Sequence, residues 1–290
     1  MVLIRELRFV LPITVEEYEI ACMYTVLKME QQNTTSKEGV ETVESKPFED
    51  EHLGKGQYTS KVYHLESKIP PWIRTFAPAK ALTVHEESWN AFPKSKTVIK
   101  CPFFHQCSMS IETINKANNG CSENVHELDK KMLSQRKVEI IDITSISKDY
   151  WSKVFGTAKL DLSTFKSSKT GRGPLSKGWQ ETCNPVMSTY KLIVMDAPIW
   201  GFGSHLEEAM VANEKALLSE FHKLCFAWID EWHGMTMEQI HEMEKQNNLL
   251  LMKTFQKSVV TNQKDPKRKN KHDSPKKGAE DSTVVPISDE

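Results

Sequence analysis

The sequence predicts an α+β protein whose strand-forming middle lies between helical segments. Three observations lead to this prediction: an amphipathic pattern begins at Thr14, alternating or β-branched segments run from about residue 37 to residue 145, and helical periodicity returns from 205 to 256. Proline and glycine punctuate the middle region, which is typical of short strands joined by turns.

The predicted first helix has a defined start and one apolar face. Thr14 and Glu17 have the spacing of a capping box, in which each side chain accepts a hydrogen bond from the other's backbone N–H. The apolar stripe that follows consists of Tyr18, Ala21, Cys22 and Val26. This pattern is typical of an amphipathic helix.

Three predicted strands, YTSKVYHL, CSMSIET and YKLIVM, carry polar side chains on faces that are otherwise apolar. Because side chains alternate along a strand, the residues that share these faces are Thr59, Lys61, Tyr63 and Leu65; Cys107, Met109, Ile111 and Thr113; and Lys191, Ile193 and Met195. The residues alone leave two interpretations open. The polar positions lie at a sheet edge or on an exposed face, or they belong to a site that needs them.

The segment from 205 to 256 contains two predicted helices. One stripe, interrupted by Asn213, steps by threes and fours through Leu206, Met210, Leu217, Phe221, Leu224 and Trp228. Gly234 is a suitable stop for the first helix, and Thr236 with Gln239 has the spacing of a second capping box.

The final segment differs from the rest in composition. It lacks aromatic residues, and its basic half precedes an acidic end. We therefore predict a folded domain over 1–256 and a disordered charged tail over 257–290.

Composition excludes several classes of protein. A formal net charge of -1 over 290 residues provides no general attraction to nucleic acid. The six cysteines have no paired spacing, which indicates free thiols in a reducing compartment. The N-terminal segment is too charged for a signal peptide, and no apolar run approaches the roughly 18 residues of a membrane span. We expect a cytoplasmic protein.

No motif predicts catalysis or a metal site. His105 with Cys107, and His85 with Glu86, each lack the second ligand pair that a zinc site needs. The stretch SSKTGRGPL, 167–175, contains the residue types of a phosphate-binding loop, but its lysine and threonine precede its glycines and a proline removes one backbone donor. We interpret it as a basic surface loop.

Ile199 and Trp200 stand in a turn-like stretch, APIWGFG, where large apolar side chains are poorly placed for a core. Two interpretations are open. Either the side chains fold back onto the sheet, or they form a membrane-contacting tip, since tryptophan prefers the bilayer interface.

Several segments, in register along the chain, resemble the phosphatidylinositol transfer proteins, and the small class I members more than the large multidomain ones. They are KGQYTSKVYHLESKIP, ESWNAFP, ENVHEL, FKSSKTGRGPL, YKLIV followed by IWG, and CFAWIDEW followed by MTMEQI. The resemblance runs from residue 1 to about residue 255. It implies a START-like helix-grip fold, in which a curved, mostly antiparallel sheet and two long helices enclose a cavity for one phospholipid.

The resemblance also implies a set of lipid-binding residues, all of which are present. The inositol contacts fall on Thr59, Lys61, Asn90 and Glu244, and the phosphate contacts fall on Thr97, Thr113 and Lys191. An inositol ring donates and accepts hydrogen bonds, which suits the first set. A desolvated phosphodiester needs charge-assisted donors, which a lysine and two hydroxyl groups provide.

Three positions depart from the family pattern. Cys22 stands where the family typically has glutamine, so we expect one hydrogen bond to the phosphate to be lost. Ser95 replaces a usual cysteine, and the two changes together argue for weaker head-group and choline-lipid binding. Ile199 and Trp200 stand at a pair of tryptophans that forms the family's membrane tip, so we expect weaker membrane docking.

The segment FKSSKTGRGPL resembles the family's regulatory loop. The phosphorylated serine of that loop falls on Ser167, which is flanked by Lys166, Lys169 and Arg172. We therefore expect the loop to receive a phosphate group rather than to bind one.

The resemblance implies a non-enzymatic, monomeric carrier of phosphatidylinositol, with phosphatidylcholine as a second cargo. The carrier contacts membrane surfaces transiently, uses no cofactor or metal, and holds the phospholipid as cargo. The alternative is a lipid-sensing adaptor, which holds a lipid and presents its regulatory loop and tail to partners.

Overall fold

The computed structural model describes residues 2–34, 39–64, 83–199, 201 and 203–263, with side chains, except that of Phe104, as far as Leu251. The strands are β1 Leu3–Leu11, β2 Gly39–Asp50, β3 Gly54–His64, β4 Thr83–Ala91, β5 Lys94–Lys100, β6 Ser108–Lys116, β7 Lys137–Ile141 and β8 Met187–Asp196. The helices are α1 Val15–Asn33, α2 Lys130–Gln135, α3 Tyr150–Val154, α4 Trp179–Thr182, α5 Gly203–Ala227, α6 Ile229–Trp232 and α7 Met237–Gln263. The predicted α+β class is confirmed.

All eight strands belong to one sheet, in the order β2-β3-β4-β5-β6-β8-β1-β7. Neighbouring strands are antiparallel except β1 and β7, which run parallel. The predicted, mostly antiparallel sheet is therefore confirmed.

The charged residues of β1 hid this strand from the sequence pattern, which did not predict it. Arg5, Glu6 and Arg8 are all buried. The carboxylate of Glu6 accepts from Arg8 Nε at 2.7 Å and from Arg136 at 2.6 Å. Because these ion pairs compensate the buried charges, a polar-looking segment can lie inside the sheet.

The helices cover one face of the sheet. The predicted capping box at the start of α1 is present, since Glu17 N donates to Thr14 Oγ1 and Thr14 N donates to the Glu17 carboxylate. Phe9 of β1 stacks on His222 of α5 at 4.1 Å between ring centroids, and Tyr18 of α1 contacts the same imidazole at 2.9 Å. These contacts join α1 and α5 to the sheet in one core.

Three long helices, α1, α5 and α7, stand where the resemblance implied two. The predicted stop at Gly234 is wrong, because α5 ends at Ala227 and the short α6 follows before Gly234. The second capping box is present: Gln239 N donates to Thr236 Oγ1 at 3.3 Å, and Thr236 N donates to Gln239 Oε1 at 2.9 Å.

Helix α7 continues to Gln263, so the chain is helical across the expected start of the tail at residue 257. The rest of the predicted tail lies outside the described residues. In the part of the chain that the structure describes, no helix combines the length and the apolar character needed to cross a bilayer.

Candidate functional site

The strand register places the predicted head-group residues on one face of the sheet. One row of register partners runs Asn90, Ser95, Thr113 and Lys191 across β4, β5, β6 and β8. The next row contains Thr59, Ser88 and Thr97, and the third contains Lys61, Glu86 and Ile99. Since opposed residues point the same way and the rows are two residues apart, all of these side chains share a face.

This is the face that the helices cover. Leu7 is the register partner of Lys191, so Phe9, two residues further, lies on the same face and stacks under α5. The long helices approach the sheet at its two ends, α5 over β1 and β8 and α1 with α7 over β2. Thr59 and Thr97, on strands between these ends, are half-buried. This arrangement is what a wall of an enclosed ligand site requires.

Lys191 is half-buried on this face of the sheet, and its charge has little compensation. Its Nζ donates to Thr113 Oγ1 at 3.3 Å, and no carboxylate in the described part of the chain forms an ion pair with it. Burial lowers the pKa of Lys191, and the neighbouring Glu214 opposes this shift only partly. A buried ammonium group in this setting attracts an anion.

Cys22 lies beside this lysine. It is half-buried on α1, and its thiol is close enough to Lys191 for their charges to interact. Burial raises the pKa of Cys22, while Lys191 and a hydrogen bond with Tyr18 lower it. The thiol is therefore neutral and does not compensate the lysine.

Lys61 lies in a different electrostatic environment from Lys191. Its Nζ donates to Glu30 Oε1 at 2.8 Å, and both side chains are largely buried. Burial lowers the pKa of Lys61, but the carboxylates of Glu30, Glu86 and Glu244 outweigh it, and the pKa is raised. The predicted inositol contacts Lys61 and Glu244 are thus brought together by β3 and α7.

Glu86 and Glu214 add two further carboxyl groups to this face. Tyr63 donates a long hydrogen bond to Glu86 at 3.4 Å, and burial together with Glu30 raises the pKa of Glu86. Burial and the nearby Glu86 raise the pKa of Glu214 to about 7, and Lys191 opposes the shift. Glu214 therefore lies between the Lys191 region and the Lys61 region.

The remaining strand residues supply hydroxyl and amide groups. Thr97 Oγ1 lies 3.3 Å from Ser88 Oγ. Ser95 is half-buried opposite Thr113, and Asn90 is exposed at the end of β4. Asn90 shares the face of the other predicted contacts but lies at its solvent-exposed end.

The predicted phosphorylation site is buried. Ser167 has an exposed fraction of 2% and donates to Asp230 Oδ1 at 2.5 Å. Asp230 also accepts from the backbone N–H groups of Ser168 and Lys169, and the hydrogen bond from Ser167 holds its pKa well below the usual range. The interpretation as a basic surface loop is therefore wrong for Ser167, because Asp230 holds this part of the loop against α6.

The basic residues of this loop have partners of their own. Arg172 binds both carboxylate oxygens of Glu17 at 2.7 and 3.0 Å, and so ties the loop to the first turn of α1. Ile199 is half-buried and packs against the hydrophobic core, which is the first of the two interpretations left open for it. Trp200 lies outside the described residues.

Three carboxyl groups of this face escaped the sequence prediction: Glu30, Glu86 and Glu214. Two of them did leave a signal in the helical periodicity. Glu30 is one turn beyond Val26 on the stripe of α1, and Glu214 is one turn beyond Met210 on the stripe of α5. A carboxylate on a stripe that is otherwise apolar indicates either a buried ion pair or a ligand site.

The architecture is that of a helix-grip protein of the START-like class, a fold that encloses a lipid. A family model described as phosphatidylinositol transfer protein matches residues 2–249. The chain therefore belongs to the phosphatidylinositol transfer protein family.

Individual relatives agree with the family match. The chain is 42% identical over 246 residues to phosphatidylinositol transfer protein 1 of Dictyostelium discoideum. The aligned region covers 83% of this chain and 91% of that protein. It is 40% identical over 248 residues to cytoplasmic phosphatidylinositol transfer protein 1 of Drosophila melanogaster, covering 85% and 89%. It is 36% identical over 245 residues to the Homo sapiens protein named cytoplasmic phosphatidylinositol transfer protein 1, covering 84% and 72%.

Proposed function

We propose that this protein binds one phosphatidylinositol molecule and carries it, chemically unchanged, between cytoplasmic membrane surfaces. The family membership and the names of its relatives support this proposal. Exposing acyl chains to water costs about 0.8 kcal/mol per CH₂, so a free lipid crosses water rarely. An apolar cavity around the acyl chains would lower that cost, and head-group contacts would then set the selectivity.

The observation that carries the proposal is the uncompensated charge of Lys191. Among the described residues, its ammonium group has a threonine hydroxyl as its hydrogen-bonding partner, and such a group is costly to bury unless an anion joins it. A phosphodiester supplies one negative charge and several acceptor oxygens. Thr113 and Thr97 lie on the same face and provide neutral donors to those oxygens.

The ring of the head group is assigned to the neighbouring region around Lys61. The carboxylates of Glu30, Glu86 and Glu244 already compensate this lysine, so the region suits a neutral ligand rather than a second anion. An inositol ring is neutral and offers hydroxyl groups that donate to carboxylates and accept from lysine. The region around Lys61 therefore favours an inositol ring without further phosphate groups.

Transfer between vesicles tests the proposed function. Donor vesicles that contain radiolabelled phosphatidylinositol are mixed with unlabelled acceptors, and the expected result is label in the acceptors in proportion to protein and time. Recovery of intact lipid distinguishes a carrier from an enzyme. Binding of lipid without its appearance in acceptors would favour the lipid-sensing adaptor and would contradict the carrier.

Phosphatidylcholine is proposed as a second and weaker cargo. The phosphate requirement is the same, but the choline group offers no hydroxyl to the carboxylates near Lys61. Cys22 provides a weaker donor than the family's glutamine, and Ser95 stands at the position of a usual cysteine. We expect the rate of choline-lipid transfer to lie well below the rate for phosphatidylinositol.

Membrane contact is proposed to be transient, with the protein monomeric between encounters. Ile199 packs on the core, so a docking role at this position rests on Trp200 and its neighbours more than on Ile199. Replacing Trp200 with alanine should slow transfer at every salt concentration without emptying the protein of lipid, because apolar contacts with a bilayer are not screened by salt.

Phosphorylation of Ser167 remains part of the proposal. The buried hydroxyl must first be released from Asp230 before a kinase can reach it. A phosphate placed there would face the Asp230 carboxylate, and the repulsion would push the loop away from α6. We propose that the modification opens this contact rather than creating a new one.

A further inference from the structure

Glu30 connects three elements of the protein through its carboxylate. It lies near the end of α1, and its side chain has an exposed fraction of 9%. Oε1 accepts from Lys61 Nζ of β3 at 2.8 Å, and Oε2 accepts from Asn247 Nδ2 of α7 at 3.1 Å. One buried side chain thus ties the sheet and α7 to α1.

Asn247 makes the contact with α7 specific. It has an exposed fraction of 0%, and its Oδ1 has no partner among the described residues. Its Nδ2 donates to Glu30, and among the described residues this is the hydrogen bond that holds the buried amide in place. One turn earlier on α7, Glu244 is close enough to Lys61 to raise the pKa of that lysine.

We propose that Glu30 is a positioning residue that couples recognition of the head group to the seating of α7 over the ligand. One oxygen orients Lys61 toward the ring hydroxyls, and the other holds α7 against the same end of the site. The inference rests on the proposed function. It assigns to Glu30 a role in both the affinity for phosphatidylinositol and the rate at which the lipid leaves.

The two bonds of Glu30 have separable consequences. Loss of the Lys61 bond lets Nζ turn away from the ring, which weakens binding of the inositol lipid. Loss of the Asn247 bond frees α7, which should speed the entry and the release of a lipid alike and leave the affinity nearly unchanged. Hydrogen bonds to charged groups contribute about 1.5–3 kcal/mol, so each effect should reach about tenfold.

Two double-mutant cycles test this inference, one for each bond. The variants are Glu30→Ala, Lys61→Met and Asn247→Ala with the two corresponding doubles, and the measurements are the affinity for phosphatidylinositol and its release rate. We expect Glu30→Ala to lower the affinity about tenfold, but less than twofold further in the Lys61→Met background. We expect it to speed release more than tenfold, and by a clearly smaller factor in the Asn247→Ala background, where the loss of the Lys61 bond alone remains.

Two further variants serve as controls. Glu30→Gln keeps an acceptor for Lys61 and gains an amide donor for the unpartnered Asn247 Oδ1, so its release rate should stay within twofold of the parent. The second control is Lys28→Ala. Lys28 lies on the same helix but faces α6, where it pairs with Glu231 and its Nζ lies 4.1 Å from the centroid of the Trp228 ring. The affinity and release rate of this variant should match those of the parent.

The outcomes separate the inference from the proposed function. A parent protein that does not retain phosphatidylinositol would contradict the proposed function. A parent that retains it, with Glu30→Ala behaving like the parent, would overturn the inference alone. Fully independent effects in both cycles would also overturn it, because a residue with only a structural role would not couple to Lys61 and Asn247.

Discussion

Two lysines on one face of the sheet, Lys61 and Lys191, differ in how the protein compensates their charge. Lys61 is paired with Glu30 and lies near two further carboxylates, and its pKa is raised. Lys191 has a threonine hydroxyl as its hydrogen-bonding partner, and burial lowers its pKa. The same residue type is thus held in one case by permanent partners and in the other by almost none.

Under the proposed function, each lysine would take a separate group of the ligand. A compensated lysine orients a neutral, hydroxyl-rich group, whereas an uncompensated one draws an anion. Glu214 lies between the two regions, where Glu86 raises its pKa and Lys191 lowers it. One end of the face, at Lys61, is therefore rich in carboxylates, and the other end, at Lys191, carries a poorly compensated positive charge. A lipid with a neutral inositol ring and a negative phosphodiester would match these two ends.

The largest expected effect comes from Lys191→Met. Removing the buried ammonium group should lower the affinity for phosphatidylinositol about 100-fold, since a charge-assisted contact to phosphate is lost. The free energy of unfolding of the lipid-free protein should stay the same or rise, because an unpaired buried charge disappears. Lipid retention measures the affinity, and urea unfolding measures the stability. A Lys191→Met variant less stable than the parent would contradict the view that the charge of Lys191 is uncompensated.

Lys61→Met should have a smaller effect on binding and the opposite effect on stability. The affinity for phosphatidylinositol should fall about tenfold, and the free energy of unfolding should fall by about 3 kcal/mol, because Glu30 and its neighbours lose their buried partner. Urea unfolding of the lipid-free protein measures this change. If Lys61→Met and Lys191→Met had the same free energy of unfolding, the two lysines would not differ in how the protein compensates their charge.

The pH dependence of stability should report Glu214. Its folded pKa of about 7 lies above its ordinary value, so its contribution to stability is complete at low pH and is lost as pH rises through 7. Between pH 5 and pH 8 the loss should amount to about 2 kcal/mol. The free energy of unfolding is measured at both pH values for the parent and for Glu214→Gln. The difference between the two proteins isolates the contribution of Glu214, since both contain Glu86 and Lys191. An identical pH dependence in the variant would contradict it.

Cys22→Gln should have the smallest effect. The amide would restore a hydrogen-bond donor beside Lys191 and slow release of phosphatidylinositol about threefold, within the range of one neutral hydrogen bond. Release into excess unlabelled vesicles measures the change. An unchanged rate would mean that other donors already satisfy the phosphate.

Local patterns were enough to predict most of the fold. The capping box at Thr14 and the strand faces through Lys61, Thr113 and Lys191 follow from neighbouring residues, and the structure contains them, apart from Leu65, which lies outside the described residues. Strand β1 escaped prediction because the partner that compensates Glu6 includes Arg136, which is far away in sequence. A sequence pattern cannot show such a partner.

The site was predictable to a smaller extent, for the same reason. The strand residues were placed on one face by their alternation, but Glu30 and Glu214 reach that face only through the packing of α1 and α5. The burial of Ser167 depends on Asp230, which lies on α6 and has no local relation to the loop. Helix packing, rather than strand alternation, decides these positions.

Native mass spectrometry of the unmodified full chain tests the central claim most directly. The protein is incubated with vesicles that contain equal amounts of phosphatidylinositol, phosphatidylcholine and phosphatidylserine, and then separated from them. We predict a complex with one lipid per chain in which phosphatidylinositol predominates. A protein without lipid, or one loaded mainly with a lipid that lacks the inositol ring, would contradict the account.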